Sequence, residues 1–393
     1  MMICFLQRSG RKEIIMSWKG VITVPEQRIA FVHRVIDQSA SVASACREFG
    51  ISRKTGYKWL ARFIDDGGPL EDRSRRPNSS PARTDQHIAR QVLLVRDRYH
   101  WGGAKIHAVL SKQGLPVPSV RTINAILKRN GRVEPRSNPG QADQRFERRR
   151  ANQLWQLDFK GPVEVQRQRV HPLTVLDDHS RYLLRLTPCV NMRHRTVWQV
   201  LWALFGDVGL PDQLLCDNYF NATGNAVGVG LSWFDGQLIR LGIRPIHGRP
   251  YHPQTQGKVE RFHGTLNREL LPYVDRSSLA GFADGLESWR TNVYNSLRPH
   301  EALAMDVPVN RWLPSQRRRP DRLPEINYPS GSVIRRVQSA GWISYRSTRI
   351  LIGKGLAGDY VRLEEHHGQV KIFYASHPIR TLAASELNKD TVL

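Results

Sequence analysis

The chain has 393 residues, with 59 Lys and Arg against 35 Asp and Glu and a formal net charge of +24. That length exceeds one ordinary domain, so about two to four are expected, and the charge favours a polyanionic partner through counterion release at phosphates. Four scattered cysteines (Cys4, Cys46, Cys189, Cys216) with no CxxC pair argue against a zinc finger and a disulfide framework, and fit a reducing compartment.

No apolar run approaches the ~18–20 residues of a membrane span. The N-terminal apolar stretch is too short, and too broken by charge, for a signal peptide. The basic excess is uneven. Residues 1–150 carry 29 Lys and Arg against 13 Asp and Glu, residues 151–320 carry 20 against 15, and residues 321–393 carry 10 against 7. The attraction for a polyanion therefore concentrates in the N-terminal part, and the middle is nearer neutral, as an enzyme core would be.

Residues 1–15 show no clear period, and Met16-Ser17-Trp18-Lys19 reads as a natural start, so the preceding stretch is expected to be dispensable. Residues 25–64 read as three helices. Ile29, Val32, Val35 and Ile36 recur at helical spacing, Ser41 caps a second helix with Val42, Ala45, Cys46 and Phe49, and Ser52 caps a third carrying Tyr57, Trp59, Leu60 and Phe63. Gly50-Ile51 makes the tight break between them. Helix, short Gly-containing turn, helix is the helix-turn-helix pattern, whose second helix enters the major groove. Arg53, Lys54 and Lys58 would face DNA; the alternative is a three-helix bundle with a solvated basic face.

Residues 66–84 read as a Gly-, Pro-, Ser- and Arg-rich linker. A second helix-turn-helix unit runs over residues 85–132, with its last helix opened by Pro118-Ser119 and its groove-facing start at Ser119, Arg121 and Thr122; a structural spacer is the alternative. Residues 133–150, with Arg145, Arg148, Arg149 and Arg150, form a basic tether, and Arg148 and Arg149 are candidate phosphate contacts.

From Ala151 the pattern turns to mixed α/β. Trp155, Leu157 and Phe159 alternate with Gln156 and Asp158, so Asp158 points away from the aromatic face. Leu173–Leu176 and Tyr182–Leu186 read as strands joined by the turn Asp177-Asp178-His179-Ser180. Thr196–Phe205 is helical, Asp212–Asp217 a strand, Leu231–Leu241 a helix, Ile243–Ile246 a strand, Gly257–Leu271 a helix and residues 286–303 a further helix. This order matches a ribonuclease H-like core over residues 151–316. A linker, 317–330, leads to strand-like runs at Trp342–Tyr345, Arg349–Ile352, Tyr360–Leu363 and Val370–Tyr374, which suggest a small β-barrel over residues 331–393. The fold class is thus multidomain: all-α helix-turn-helix N-terminal domains, an α/β ribonuclease H-like catalytic core, and a small all-β C-terminal barrel.

Three carboxylates carry the chemistry: Asp158, Asp217 after Leu214-Leu215-Cys216, and Glu260 at the start of a helix. Hard divalent cations prefer such oxygen ligands and share them with substrate phosphates. Two-metal phosphoryl transfer needs two cations ~3.5–4 Å apart, and Asp158 and Asp217 would converge if their strands are neighbours, with Glu260 closing the site.

Trp155-Gln156-Leu157-Asp158, Asp217-Asn218 and Pro253-Gln254-Thr255-Gln256-Gly257-Lys258-Val259-Glu260-Arg261 resemble the three motifs of DDE transposases and retroviral integrases. Val175-Leu176-Asp177-Asp178-His179-Ser180-Arg181, His247-Gly248-Arg249-Pro250-Tyr251-His252-Pro253 and Arg298-Pro299-His300-Glu301-Ala302-Leu303 are similar to bacterial insertion-sequence transposases of the 481 group. The resemblance implies catalysis and metal binding by Asp158, Asp217 and Glu260, with two Mg²⁺ or Mn²⁺ per site. It also implies cleavage at transposon ends and transfer of the freed 3′-hydroxyl to target DNA.

Double-stranded DNA at terminal inverted repeats and target, a homo-oligomer on that DNA, no membrane partner and a bacterial cytoplasmic, nucleoid-associated location go with it. Asp177 and Asp178 are then turn residues close to the site. Lys258 and Arg261 beside Glu260 are further candidate DNA contacts. The chain departs from the pattern at Tyr219, where Gly is usual, and at Asn267, seven residues after Glu260, where integrases carry Lys or Arg. Forty-two residues separate Asp217 from Glu260, more than in retroviral integrases, and the extra length falls in Asn221–Gly230. Two other readings remain: a catalytically inactive DNA-binding regulator derived from a transposase, and a ribonuclease H-like nuclease without strand transfer.

Overall fold

The computed structural model describes residues 23–67, 70–72, 74, 84–133, 147–216, 230–247, 257–388 and 391–392. They fall in two compact units, residues 1–83 and 84–393.

The first unit has three helices: α1 (Val24–Ile36), α2 (Val42–Glu48) and α3 (Arg53–Asp66). Their starts follow from capping. Thr23 and Glu26 form a capping box, and the Ser41 and Ser52 hydroxyls accept the Ser44 and Thr55 N–H groups. Gly50 turns the chain between α2 and α3 at φ 64°, where a side chain would be strained. Phe31, Val32, Ala45, Cys46, Trp59 and Leu60 form the core.

Two details differ from the sequence reading. Tyr57, expected among the apolar residues of α3, is 60% exposed. Leu70, in the stretch expected to be linker, is buried in this core. It is held there by Arg28, which donates to the Leu70 carbonyl at 2.8 Å, pairs with Asp72 at 2.8 Å and lies 3.9 Å from the Trp59 ring centre.

The second unit opens with α4 (Gln86–Tyr99), α5 (Gly103–Lys112) and α6 (Val120–Arg129). Asp85 and Ser119 cap α4 and α6. Their shared core of Val92, Trp101, Ile106, Leu110, Ile123 and Ile126 also takes in Val293 and Leu297 from far along the chain. These helices are therefore packed on the body that follows.

That body is built on a sheet of β1 (Leu154–Phe159), β2 (Val163–Val165), β3 (Gln168–Asp177), β4 (Leu183–Cys189), β5 (Gln213–Cys216) and β6 (Arg244–His247). The long β3 pairs antiparallel with β2 at its start, then with β4 on one side and β1 on the other. β1, β5 and β6 run parallel to one another. The sheet is a sandwich filling between helices. α7 (His194–Val208) and α8 (Trp233–Arg240) cover the face bearing Trp155, Leu157, Leu173 and Val175. α9 (Gly257–Glu269) and α10 (Leu279–Ser288) cover the face bearing Leu176, Leu183 and Leu186.

α10 continues into a π-helical segment, Trp289–Asn295, and the chain then turns through a short 3₁₀ segment, Glu301–Leu303, so the single helix expected over residues 286–303 is broken. Arg298 in this turn donates twice to Glu269 at the end of α9, at 2.7 and 2.8 Å, and fixes that end of the helix.

The C-terminal strands β7 (Val333–Arg336), β8 (Trp342–Tyr345), β9 (Thr348–Leu351), β10 (Tyr360–His366), β11 (Gln369–Tyr374), β12 (His377–Ala383) and β13 (Thr391–Val392) make two small sheets. One has four strands, in the order β12-β11-β10-β7, and one has three, β13-β9-β8. Their common core of Ile343, Ile350, Val361, Val370, Ile372 and Tyr374 includes Ile239 of α8. Among the described residues no helix is long and apolar enough to cross a membrane.

Candidate active site

The alternation in β1 has the consequence expected of it. Trp155 and Leu157 enter the core under α7, so Gln156 and Asp158 face α9. Asp158 lies near the end of the strand, half-buried, and its Oδ1 accepts the Phe159 N–H at 2.8 Å. β5 runs parallel beside β1 with Cys216 opposite Leu157. Asp217 follows Cys216 in the sequence and lies outside the described residues, as do Asn218, Tyr219, Asn221–Val229, Arg145 and Gly248–Gln256.

α9 brings the third carboxylate. Val259, Phe262 and Leu266 bury its inner stripe, which leaves Glu260 exposed on the first turn. His263, one turn on from Glu260 and therefore its neighbour on the helix surface, reaches β1 and β3. Its Nδ1 is 3.8 Å from Asp158 Oδ2, and its Nε2 is 3.2 Å from the hydroxyl of Thr174, the residue paired with Asp158 across the sheet. Burial, helped by the nearby Lys160 charge, pushes the His263 ring down to about 4, so it is neutral at neutral pH. The sequence shows His263 only as a basic residue near Glu260; its spacing of three from the carboxylate is the signal that it shares a face with it.

Asp177, expected in the turn, is the last residue of β3 and pairs with Trp155, and Asp178 begins the turn; both are fully buried. Asp177 accepts the Ser180 N–H and hydroxyl and the Asn152 N–H, and burial raises its pKa. Asp178 accepts from Gln156 Nε2 at 2.8 Å and from the Arg148 N–H at 2.7 Å, and pairs with Lys258 at 2.5 Å. Burial draws the Lys258 ammonium down to about 8. The Lys258 charge, expected on DNA, is thus placed on a buried aspartate.

The other expected DNA contacts lie as follows. Arg53, Lys54 and Lys58 are exposed on one side of α3, with Tyr57 among them. Ser119 and Arg121 are exposed at the start of α6, and the Ser119 and Thr122 hydroxyls lie 3.1 Å apart within the cap. Arg149 and Arg261 are exposed, and Arg148 is half-buried beside the Asp178 turn. Glu147 gathers Arg311 at 2.9 Å, Arg181 at 3.3 Å and His179 at 3.5 Å at this corner.

Among the described residues no three acidic, His or Cys side chains form a metal-binding group. The two carboxylates that are described, on β1 and on the facing helix, are oxygen donors of the kind Mg²⁺ and Mn²⁺ take, and one residue of the expected set is not among those described. The donor chemistry fits a hard divalent cation.

The integrase core domain family matches residues 148–253 and again residues 241–308. A helix-turn-helix domain family matches residues 27–78, and a homeodomain-like domain family matches residues 55–127. A protein of insertion element IS476 from Xanthomonas euvesicatoria is 24% identical over 298 residues, covering 74% of this chain and 78% of its own length. The transposase of transposon Tn552 from Staphylococcus aureus is 22% identical over 321 residues, covering 69% of this chain and 63% of its own length. Among solved structures, the simian T-cell lymphotropic virus intasome overlaps with 72% of this chain and 91% of its own, at 17% identity and a TM-score of 0.34.

Residues 148–308 thus match an integrase core domain and residues 27–127 match helix-turn-helix domains, and such domains together imply DNA binding. Proteins of two insertion elements and the transposase of a transposon are among the chains it is similar to.

Proposed function

We propose that the protein is a DNA transposase that binds the ends of its element, cleaves them and joins the freed 3′-hydroxyl to target DNA. The observation that carries this reading is the approach of two carboxylate-bearing elements. Asp158 on β1 and Glu260 on α9 lie on facing elements, bridged by His263, within a matched integrase core. Asp217, one peptide bond beyond the strand paired with β1, is the third member of the set.

Asp158, Asp217 and Glu260 would hold two Mg²⁺ or Mn²⁺ ions. Such a pair, when bound, activates the attacking oxygen and stabilises the leaving one. The chain's own residues orient that site. His263, hydrogen-bonded to the Thr174 hydroxyl at 3.2 Å, ties α9 to β3 beside Asp158. Arg53, Lys54 and Lys58 on α3, Ser119, Arg121 and Thr122 at the start of α6, and Arg148, Arg149 and Arg261 would hold the DNA by phosphate and groove contacts. Two ends must be brought together, so the acting species would be a homo-oligomer on DNA.

The test is strand transfer of a labelled end duplex, taken from the DNA flanking the gene, with Mg²⁺ present. Joined product supports the reading. Hydrolysis without joining would make the protein a nuclease, and end binding without cleavage would make it a regulator.

A further inference from the structure

Asp178 is engaged from three directions. Gln156, two residues before Asp158 on β1, donates to Oδ1; the backbone of Arg148, where the tether reaches the core, donates to Oδ2; and Lys258, two residues before Glu260 on α9, pairs with Oδ1 at 2.5 Å and also donates to the Asp178 carbonyl at 3.1 Å. The Asp178 side chain is fully buried, and that of Lys258 is 17% exposed. Other parts of α9 are anchored separately, its middle through His263 to Thr174 and its end through Glu269 to Arg298. In the first turn, which carries Glu260, Val259 packs into the core and Lys258 makes the polar anchor to the β3–β4 turn.

Ion pairs taken out of water return little net stability, because desolvation offsets their attraction, and apolar replacements of similar size are often tolerated. What such a pair does supply is a fixed position. We propose that Lys258 and Asp178 are positioning residues for the active site. Their bond locks the first turn of α9 to the β3–β4 turn and to β1, which sets Glu260 opposite Asp158, and Lys258 does not contact DNA. The proposal rests on Glu260 acting in the reaction proposed above.

The test uses the full chain with both charges removed, Lys258→Met with Asp178→Asn, so that no unpaired charge is left inside. Expected are a melting temperature no lower than that of Asp178→Asn alone and an unchanged salt dependence of end binding. The kcat of strand transfer should fall at least tenfold with KM for the end duplex held, and Lys258→Arg alone should retain more activity than Lys258→Met alone. Hydrogen exchange should quicken at the amides of Arg261–Gly264, which bond to carbonyls of the first turn.

A raised KM with a shallower salt slope would assign Lys258 to phosphate and overturn the proposal, as would unchanged kcat with unchanged exchange. Should the unaltered protein transfer no strands, the functional reading fails by itself. The exchange measurement still decides on the anchor, since quicker exchange supports it and unchanged exchange overturns it.

Discussion

Trp101 donates its indole N–H to Glu269 at 2.9 Å, across 168 positions of sequence, and joins the second set of N-terminal helices to the end of α9. The same carboxylate takes both bonds from Arg298, with side-chain exposures of 7% for Arg298 and 6% for Glu269. Arg298→Met strands that carboxylate and should cost about 3–5 kcal/mol. Trp101→Phe removes one hydrogen bond to a charged group and should cost about 1.5–3 kcal/mol. Urea unfolding of the two variants beside the unaltered chain measures both, and an unmoved midpoint for Arg298→Met would show the pair holds nothing.

Gly56 lies where α3 crosses α1 and α2. A Cβ there would sit 2.5 Å from Cys46 Sγ and 2.8 Å from the Phe31 ring. Gly56→Ala should therefore destabilise the first helical unit by about 1–3 kcal/mol through overpacking. The loss should be confined to residues 23–66, which form part of a separate compact unit. Hydrogen exchange resolved by segment should quicken in α1–α3 and stay constant in β1–β6.

Asp158→Asn, Asp217→Asn and Glu260→Gln keep side-chain shape but remove the charge that would hold the metals. Each should lower strand transfer by at least about a hundredfold, since metal stabilisation of the transition state is worth several kcal/mol. End binding should stay within about twofold of the unaltered chain, because these variants leave the helix-turn-helix units untouched. Full transfer by any one of them would remove that residue from the site.

The exposed cations on α3 predict a salt effect. Log affinity for duplex DNA falls with log salt by about 0.9 for each phosphate contacted. Replacing Arg53, Lys54 and Lys58 together by Ala should flatten that slope by up to about 2.7. The same slope with the same affinity would return α3 to a packing role.

His300 is buried, with Arg298 and Lys105 nearby, and burial first and those charges next hold its pKa well below 6.5. The unfolded chain then takes up the proton first, so this contribution to stability is complete above pH 6.5 and is lost as the pH falls below it. His263, held near 4, acts in the same direction. His300→Asn should make the fall in melting temperature between pH 7 and pH 5 shallower without removing it, and an unaltered slope would mean that His300 is not the group titrating.

What the sequence shows and what it hides divide along physical lines. Ser41, Ser52 and Ser119 mark helix starts because a cap is a local bond, and the alternation around Asp158 gives its facing direction because strand geometry has a period of two. The hairpin joining β2 to β3 turns at Gln166-Arg167, both at positive φ, where neither residue carries the Gly or Asn that announces such a turn. The π-helical segment after α10 has no local signature, although Pro299 marks the end of the helical run expected to reach residue 303. Tyr57 reads as part of an apolar stripe and lies outside it. The bond between Lys258 and Asp178 spans 80 positions and is set by how α9 lands on the sheet, which no local pattern records.

Gly353 and Gly355 press the C-terminal strands so closely against the stretch entering α8 that an added Cβ would fall 2.4 Å from the Leu231 nitrogen and 2.1 Å from the Ser232–Trp233 backbone. The Leu231 N–H bonds to the Ile352 carbonyl, and Ile239 of α8 is buried in the core of the C-terminal strands. This tail is therefore not a cassette that recombination could trade freely between related chains. A foreign tail would need glycine at the same two places and a matching partner for Ile239, so tail and core must be inherited, and must drift, as one.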